Sequence, residues 1–299
     1  MRLFFAPATS VATIIGWVGS AWGAPVTFNT ALPVGGGEFV ARELVVSSES
    51  GRDPSTADRS VNTTSLTSVL GYGVTPKLAV FGVLTYVDKD LDVTVSGNRV
   101  NRSASGFGDA TVFGRYTLVQ RDRPGRTFRV APFLGVKAPT GEDDKRDGLG
   151  RLPASLQAGT GAWDVFGGVV ATYQVFAFQA DGQVSYRINN KANGFDPGDE
   201  FRLDGSLQYR LWPKSLGEGV PSFLYGVLET NLVYRDNNEM DGTTDNNSGG
   251  TTLYLSPGLQ YVTKRWILEG VVQLPVIQNL NGDALENDYV VRAGIRFNF

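Results

Sequence analysis

The chain contains neither cysteine nor histidine. Without cysteine there is no disulfide, no thiolate nucleophile and no sulfur-ligated metal. Without histidine, the commonest general base and the commonest metal ligand are missing together. A serine nucleophile needs an adjacent base, and no Ser-x-x-Lys or similar signature offers a substitute. The sequence therefore assigns no catalytic residue, no metal ligand and no cofactor. The acidic patches Gly141-Glu-Asp-Asp144 and Asn281-Gly-Asp283 do not complete the ordered oxygen ligands of a Ca²⁺ site, and they read as solvated loops that could share divalent cations with lipopolysaccharide. A concentrated basic face is also lacking at a net charge of −3, so nucleic acid is not an expected partner. Beyond the first two dozen residues no apolar run reaches about 18 residues, which excludes a membrane-crossing helix.

Those first residues read as a targeting segment. Arg2 gives a positive start, Leu3 to Val18 is largely apolar but broken by Pro7, Thr9 and Ser10, and Gly19–Ala24 is rich in small residues. The pattern is that of a cleaved signal peptide over 1–23, with Ala21 and Gly23 at the −3 and −1 positions. Residues 24–37 are then either periplasmic or folded into the interior of the domain that begins near residue 38.

What the chain has is two-residue alternation and 37 glycines. Phe178, Ala180, Gly182, Val184 and Tyr186 alternate with Gln179, Asp181, Gln183, Ser185 and Arg187. Residues 201–211 and 289–299 repeat the pattern, so 38–299 reads as an all-β domain. Twelve segments are expected, centred near 38–48, 61–73, 78–88, 106–119, 127–138, 162–174, 176–188, 200–211, 222–235, 251–262, 265–276 and 288–299. In the first, Arg42-Glu43 leave the inward face undecided. The connectors sort by length: short at Thr75–Lys77, Gln174-Val175 and Thr263-Lys264, modest at Arg121–Arg126 and Pro213–Pro221. They are long and polar at 49–60, 89–105, 139–161, 189–199, 236–250 and 277–287. Short turns on one side and long loops on the other are the asymmetry of a transmembrane antiparallel β-barrel.

Alternation alone does not say which face points inward, but three features do. Rings gather at the ends of the apolar faces: Tyr72, Tyr116, Trp163, Tyr173, Tyr186, Tyr209, Trp212, Tyr261, Trp266 and Tyr289, as an aromatic girdle at the two bilayer interfaces requires. The polar faces carry charges of both signs in mid-strand, and these become the lumen and constriction candidates. The cations are Arg115, Arg129, Lys137, Arg187, Arg202, Arg210, Arg235, Arg292 and Arg296, and the anions Asp109, Asp164, Asp181, Asp204, Glu229 and Glu269. Finally, the chain stops at Phe299, two residues after Phe297, which resembles the C-terminal assembly signal of bacterial outer-membrane proteins. Outer-membrane lipid, lipopolysaccharide, the barrel-assembly machinery and a small-molecule solute are the expected partners, and the outer membrane of a Gram-negative bacterium the expected location.

Two adjacent stretches, Gly106-Phe-Gly-Asp-Ala-Thr-Val-Phe-Gly-Arg-Tyr-Thr-Leu118 and Val130-Ala-Pro-Phe-Leu-Gly-Val-Lys-Ala-Pro-Thr-Gly141, form a GxGD…(K/R)Y strand followed by a GxKxPTG strand. They resemble the outer-membrane transporter family labelled "MetA-pathway of phenol degradation", and Phe28-Asn-Thr30 and Gly35-Gly-Gly-Glu38 fit its approach to the first strand. The resemblance implies passage of aromatic degradation substrates. From the residues themselves, Asp109 and Arg115 share a strand face about 20 Å apart, with Arg129 and Lys137 on the neighbouring strand. These charges read as wall ion pairs or as a field at a constriction, and 139–161 as the loop after the fifth strand or a lid.

Twelve strands fall between filled eight-stranded barrels and open sixteen-stranded pores. The expectation is a narrow channel for small aromatic or hydrophobic solutes, with mild anion preference from nine inward cations against six anions. The alternative is a structural or adhesion barrel whose loops bind partners without transport.

Overall fold

Segment 201–211 shows what its alternation accomplishes. Leu203, Leu207 and Tyr209 are 51%, 51% and 60% exposed, while Asp204, Ser206, Gln208 and Arg210 are at most 6% exposed. A water-soluble fold buries the opposite set. A sheet with hydrocarbon outside and polar groups inside needs this one. The inversion recurs around a closed ring in the computed structural model, which describes residues 23–215 and 222–299. Residues 1–22 of the expected signal peptide and 216–221 of the Pro213–Pro221 connector lie outside the described residues.

The chain runs β1 (Phe39–Ser50), β2 (Ser60–Gly73), β3 (Leu78–Val95), β4 (Asn98–Phe107), β5 (Thr111–Tyr116), β6 (Val119–Arg123) and β7 (Arg126–Lys137). After the two-residue ladder β8 (Arg146–Asp147) and β9 (Gly150–Arg151) come β10 (Asp164–Val175), β11 (Phe178–Ile188), β12 (Phe195–Asp196), β13 (Glu200–Trp212) and β14 (Phe223–Arg235). The remaining strands are β15 (Glu239–Met240), β16 (Thr243–Thr244), β17 (Gly250–Val262), β18 (Trp266–Leu280) and β19 (Tyr289–Asn298). Sequential long strands pair antiparallel, with β4 and β5 sharing one place beside β3, so twelve strands circle the ring. It closes where β1 meets β19, from Val40↔Asn298 to Glu49↔Tyr289. Phe39 and Phe299 extend this seam by exchanging backbone hydrogen bonds of 2.6 and 3.0 Å.

Two connectors differ from the sequence reading. The stretch 89–105 is not a loop: β3 continues to Val95 and returns as β4, with Val93 opposite Val100. Ser96 and Gly97 both have positive φ, +50° and +82°, the two-residue turn that matches strand twist. One face of the hairpin is polar, with Asp88, Asp90 and Asp92, and the other carries Leu91, Val93 and Ala104, which meet the 139–161 loop rather than lipid. The segment expected as one strand over 106–119 likewise breaks at 108–110, and Val119–Arg123 forms a hairpin with the start of β7.

The long loops are tied together rather than splayed. Leu152 and Leu156, 3% and 1% exposed, pack on Leu91 and Ala104 of the β3–β4 hairpin. Lys89 donates to the Ser155 and Gln157 carbonyls at 2.9 and 2.7 Å. Loops 189–199 and 236–250 share the small sheet β12–β15–β16.

Lipid-facing positions should show the depth dependence of a bilayer. Leu207→Arg, in mid-strand, is expected to lower unfolding free energy in phospholipid vesicles by about 2–4 kcal/mol, and Tyr209→Arg, nearer the interface, by about 0–1. Urea titrations followed by tryptophan fluorescence check both, and equal costs would contradict the assigned membrane position.

Candidate functional site: the lumen and its strap

The residues before β1 cross the interior of the barrel. Val26 and Ala31, 1% and 0% exposed, each enter an apolar patch on the inner wall. Val26 packs with Leu44, Val227 and Val271, and Ala31 with Ala131, Phe133 and Val170. Between the anchors the strap's backbone is bonded to wall side chains. Glu229 accepts from the Val26 and Thr27 amides at 2.7 and 2.9 Å. Thr172 accepts from the Ala31 amide at 2.9 Å, and Asp181 from the Thr30 hydroxyl at 3.1 Å. Arg115 donates to Asn29 Oδ1 and to the Thr30 and Leu32 carbonyls, each at 2.6 Å. Isolated backbone groups in a barrel interior need such partners, and the inward charges supply them.

Most other inward charges are paired in tiers. Nearest the periplasm, Glu269 meets Arg42 at 2.5 Å and Arg296 at 3.1 Å, with Gln260 donating at 2.8 Å. Arg42, undecided from sequence, points inward, and Glu43 outward, where it accepts from Ser68. Further up, Asp204 joins Arg202 at 3.1 Å, Asn231 at 2.8 Å and Gln183 at 3.1 Å, and Arg292 donates to Gln273 at 2.5 Å. At the outer mouth Lys137 bridges Asp164 at 2.5 Å and Asp109 at 3.2 Å, while Glu200 holds Arg235 at 2.7 Å. Burial opposes charge on Asp109. The Gly141 and Thr160 amides, the Thr160 hydroxyl and the Lys137 ammonium outweigh it and hold its pKa below the ordinary carboxylate value. Asp109 lies just before β5 rather than on one unbroken strand with Arg115. Arg129 pairs with Asp122 at 3.1 Å near the periplasmic end.

The opposite sector of the wall is aromatic, and the sequence reading missed it. Phe81, Phe113 and Phe166 face inward from β3, β5 and β10, with Gly135 of β7 opposite both Phe113 and Phe166. Phe81 and Phe113 stack at 4.7 Å, and Phe113 meets Phe166 edge-on at 6.1 Å and Phe133 at 6.4 Å. A Cβ at position 135 would collide with Phe113 and Phe166, so glycine there lets the rings meet across β7. Guanidinium groups close both ends of the row: Arg115 lies over Phe81 at 4.9 Å and Arg187 over Phe166 at 5.6 Å. Arg210 sits at the periplasmic floor, over Phe176 at 3.9 Å.

All ten girdle rings lie on the outward face. Tyr72, Tyr116, Tyr173, Tyr209, Trp212, Tyr261 and Trp266 ring the periplasmic end, and Trp163, Tyr186 and Tyr289 the outer end. Phe297 also faces outward, and the Phe299 ring stacks on Phe39 at 6.0 Å. Replacing Glu269 by Ala strands Arg42 and Arg296 together inside the barrel. The expected cost is about 3–5 kcal/mol, read as a lower urea midpoint, whereas removing all three charges should cost less than removing the carboxylate alone.

The family described as "Putative MetA-pathway of phenol degradation" matches residues 30–274. A comparison with curated proteins finds no match. Among solved structures, an outer-membrane channel from Pseudomonas putida F1 is similar, with a TM-score of 0.65 at 14% identity over 93% of this chain and 100% of that one. The beta domain of the Bordetella autotransporter BrkA gives 0.45 at 15% identity over 89% and 100%. The transport unit of the autotransporter AIDA-I from Escherichia coli gives 0.46 at 12% over 87% and 90%. The likeness to the Pseudomonas channel is one of fold, that of a β-barrel of the Gram-negative outer membrane.

Proposed function

The chain belongs to the MetA-pathway phenol-degradation family, and from that premise we propose that its barrel is a channel through which small aromatic or hydrophobic solutes diffuse across the outer membrane. The observation that carries the proposal is a row of phenylalanines on the inner wall of β3, β5 and β10, set among the charged groups that line the rest of the lumen. Phe113 and Phe166 pack against the strap's Ala31 patch, so the row meets a solute once the strap is displaced, and an amphipathic solute then has apolar contact on one side and hydrated groups on the other. Twelve strands give an interior intermediate between a filled barrel and an open pore, and the strap narrows it further. The strap is the obstruction in this reading: it belongs to no sheet, and hydrogen bonds with Glu229, Thr172, Asp181 and Arg115 together with the Val26 and Ala31 anchors hold it in place.

Inward charge sets the expected selectivity. Arg42 and Lys89 join the cations inferred from sequence and Glu200 joins the anions, which leaves the wall positive although the whole chain carries −3. Reversal potentials in a salt gradient across a planar bilayer are expected to show mild anion preference, and clear cation preference would contradict this account of the wall. Liposome swelling tests the channel itself. Rates should depend on the solute, and a chain lacking residues 24–34 should swell liposomes severalfold faster with arabinose. Swelling that is absent for every solute, with and without the strap, would favour a structural barrel whose loops bind partners.

A further inference from the structure

Above the outer mouth lies a cavity of about 270 Å³ between two loops. One wall is the loop carrying Leu152 and Pro153, fixed because Leu152 and Leu156 are packed into the β3–β4 hairpin. The other is the small sheet shared by loops 189–199 and 236–250, where Phe195 pairs with Met240. Pro197 completes the apolar lining. Met240 on this wall is 52% exposed. Apolar surface kept open to water in a concave site is a common mark of ligand binding.

The polar lining residues are Asp143, Arg151, Gln157 and Thr160 on the first loop and Asn193 on the second. Asp143 takes a 2.7 Å hydrogen bond from Asn193 through one carboxylate oxygen, and its backbone carbonyl accepts from Arg151 at 2.6 Å. Thr160 lines the same side and donates to Asp109 at 2.8 Å, so the floor of the cavity is part of the Lys137–Asp109–Asp164 cluster at the lumen mouth. Asn190 donates its amide to Asp164 at 3.0 Å, which ties the second wall to that cluster as well. The volume lies below the roughly 300–1,000 Å³ of sites for drug-sized ligands. A phenylalanine ring and a methionine thioether favour an aromatic body, and a carboxylate at one end favours a hydroxyl donor over an anion.

We propose that this cavity is an outer capture site for a single-ring aromatic bearing a hydroxyl group, with the ring between Phe195 and Met240 and the hydroxyl donating to Asp143. The proposal rests on the channel reading, for it names the solute class and the place where that solute is first held. The bound hydroxyl would lie beside the Thr160–Asp109 contact, one step from the lumen.

Calorimetric titration of the full protein in detergent with phenol and with toluene, against a detergent blank, tests the site. Phenol should give a saturable component that toluene matches only weakly. Asp143→Asn should weaken phenol about tenfold, the scale of one hydrogen bond to a charged acceptor, and leave toluene within about twofold. Phe195→Ala and Met240→Ala should each weaken both solutes, with retained heat-modifiable electrophoretic mobility confirming a closed barrel. Phenol binding unchanged in all three variants, or equal losses for phenol and toluene in Asp143→Asn, would overturn the site. Arabinose swelling by the protein with and without residues 24–34 separates the two failures. If swelling persists without saturable phenol binding, the channel stands and the capture site falls; saturable binding without swelling removes the channel and leaves the site.

Discussion

In hydrocarbon a backbone amide or carbonyl without a partner costs several kcal/mol, and no water is available to relieve it. The β1–β19 seam meets that constraint for the whole barrel. An open twelve-stranded sheet would present two unpaired edges to lipid, whereas the seam from Val40–Asn298 to Glu49–Tyr289 removes both. The rest of the architecture depends on closure. It defines an inside, so that one parity of each strand must suit lipid and the other an enclosed polar space. It also brings Phe39 and Phe299 together, placing the N-terminal strap directly beneath the lumen it crosses.

Where lipid lies on one side, the fold is legible residue by residue. Segments 176–188, 200–211 and 288–299 lie within a few residues of β11, β13 and β19 because leucine, valine and tyrosine on the lipid face alternate with charge. The signal fades above the bilayer. Residues 89–105 are rich in charged and small polar side chains and read as a loop by composition, although Leu91, Val93 and Val95 alternate with Asp90, Asp92 and Thr94 and the Ser96-Gly97 turn makes a hairpin. Alternation and a turn are both present in that sequence, but the apolar face is short and meets the 139–161 loop rather than lipid.

The charged half of the interior is legible for the same reason, since a charge on a lipid-crossing strand has only one acceptable direction. The aromatic half is hidden. Around Phe81 and Phe133 both parities are apolar, as in Ala79-Val-Phe81 and Val130-Ala-Pro-Phe-Leu134, and alternation carries no information when both faces read alike. Arg42 is obscured by its neighbour Glu43, and only the register of β1 with β2 and β19 separates them. The strap lies beyond any periodic argument. Its place depends on partners more than 80 residues distant, such as Arg115, Thr172 and Glu229.

Strands in a closed ring tilt by about 35–45°, so side chains paired across neighbours do not share a height. Measured from the periplasmic girdle, Phe113 stands three residues above Tyr116 and Phe166 seven above Tyr173. The row from Phe81 through Phe113 and Phe166 to Arg187 is therefore a screw thread cut into the inner wall. Four strand spacings of about 4.8 Å at that tilt give it a rise of roughly 12 Å. On the channel reading proposed above, a flat solute following these rings once the strap has left Phe113 and Phe166 would turn about the barrel axis as it descends, so passage would depend on the ability to roll along a thread as well as on width.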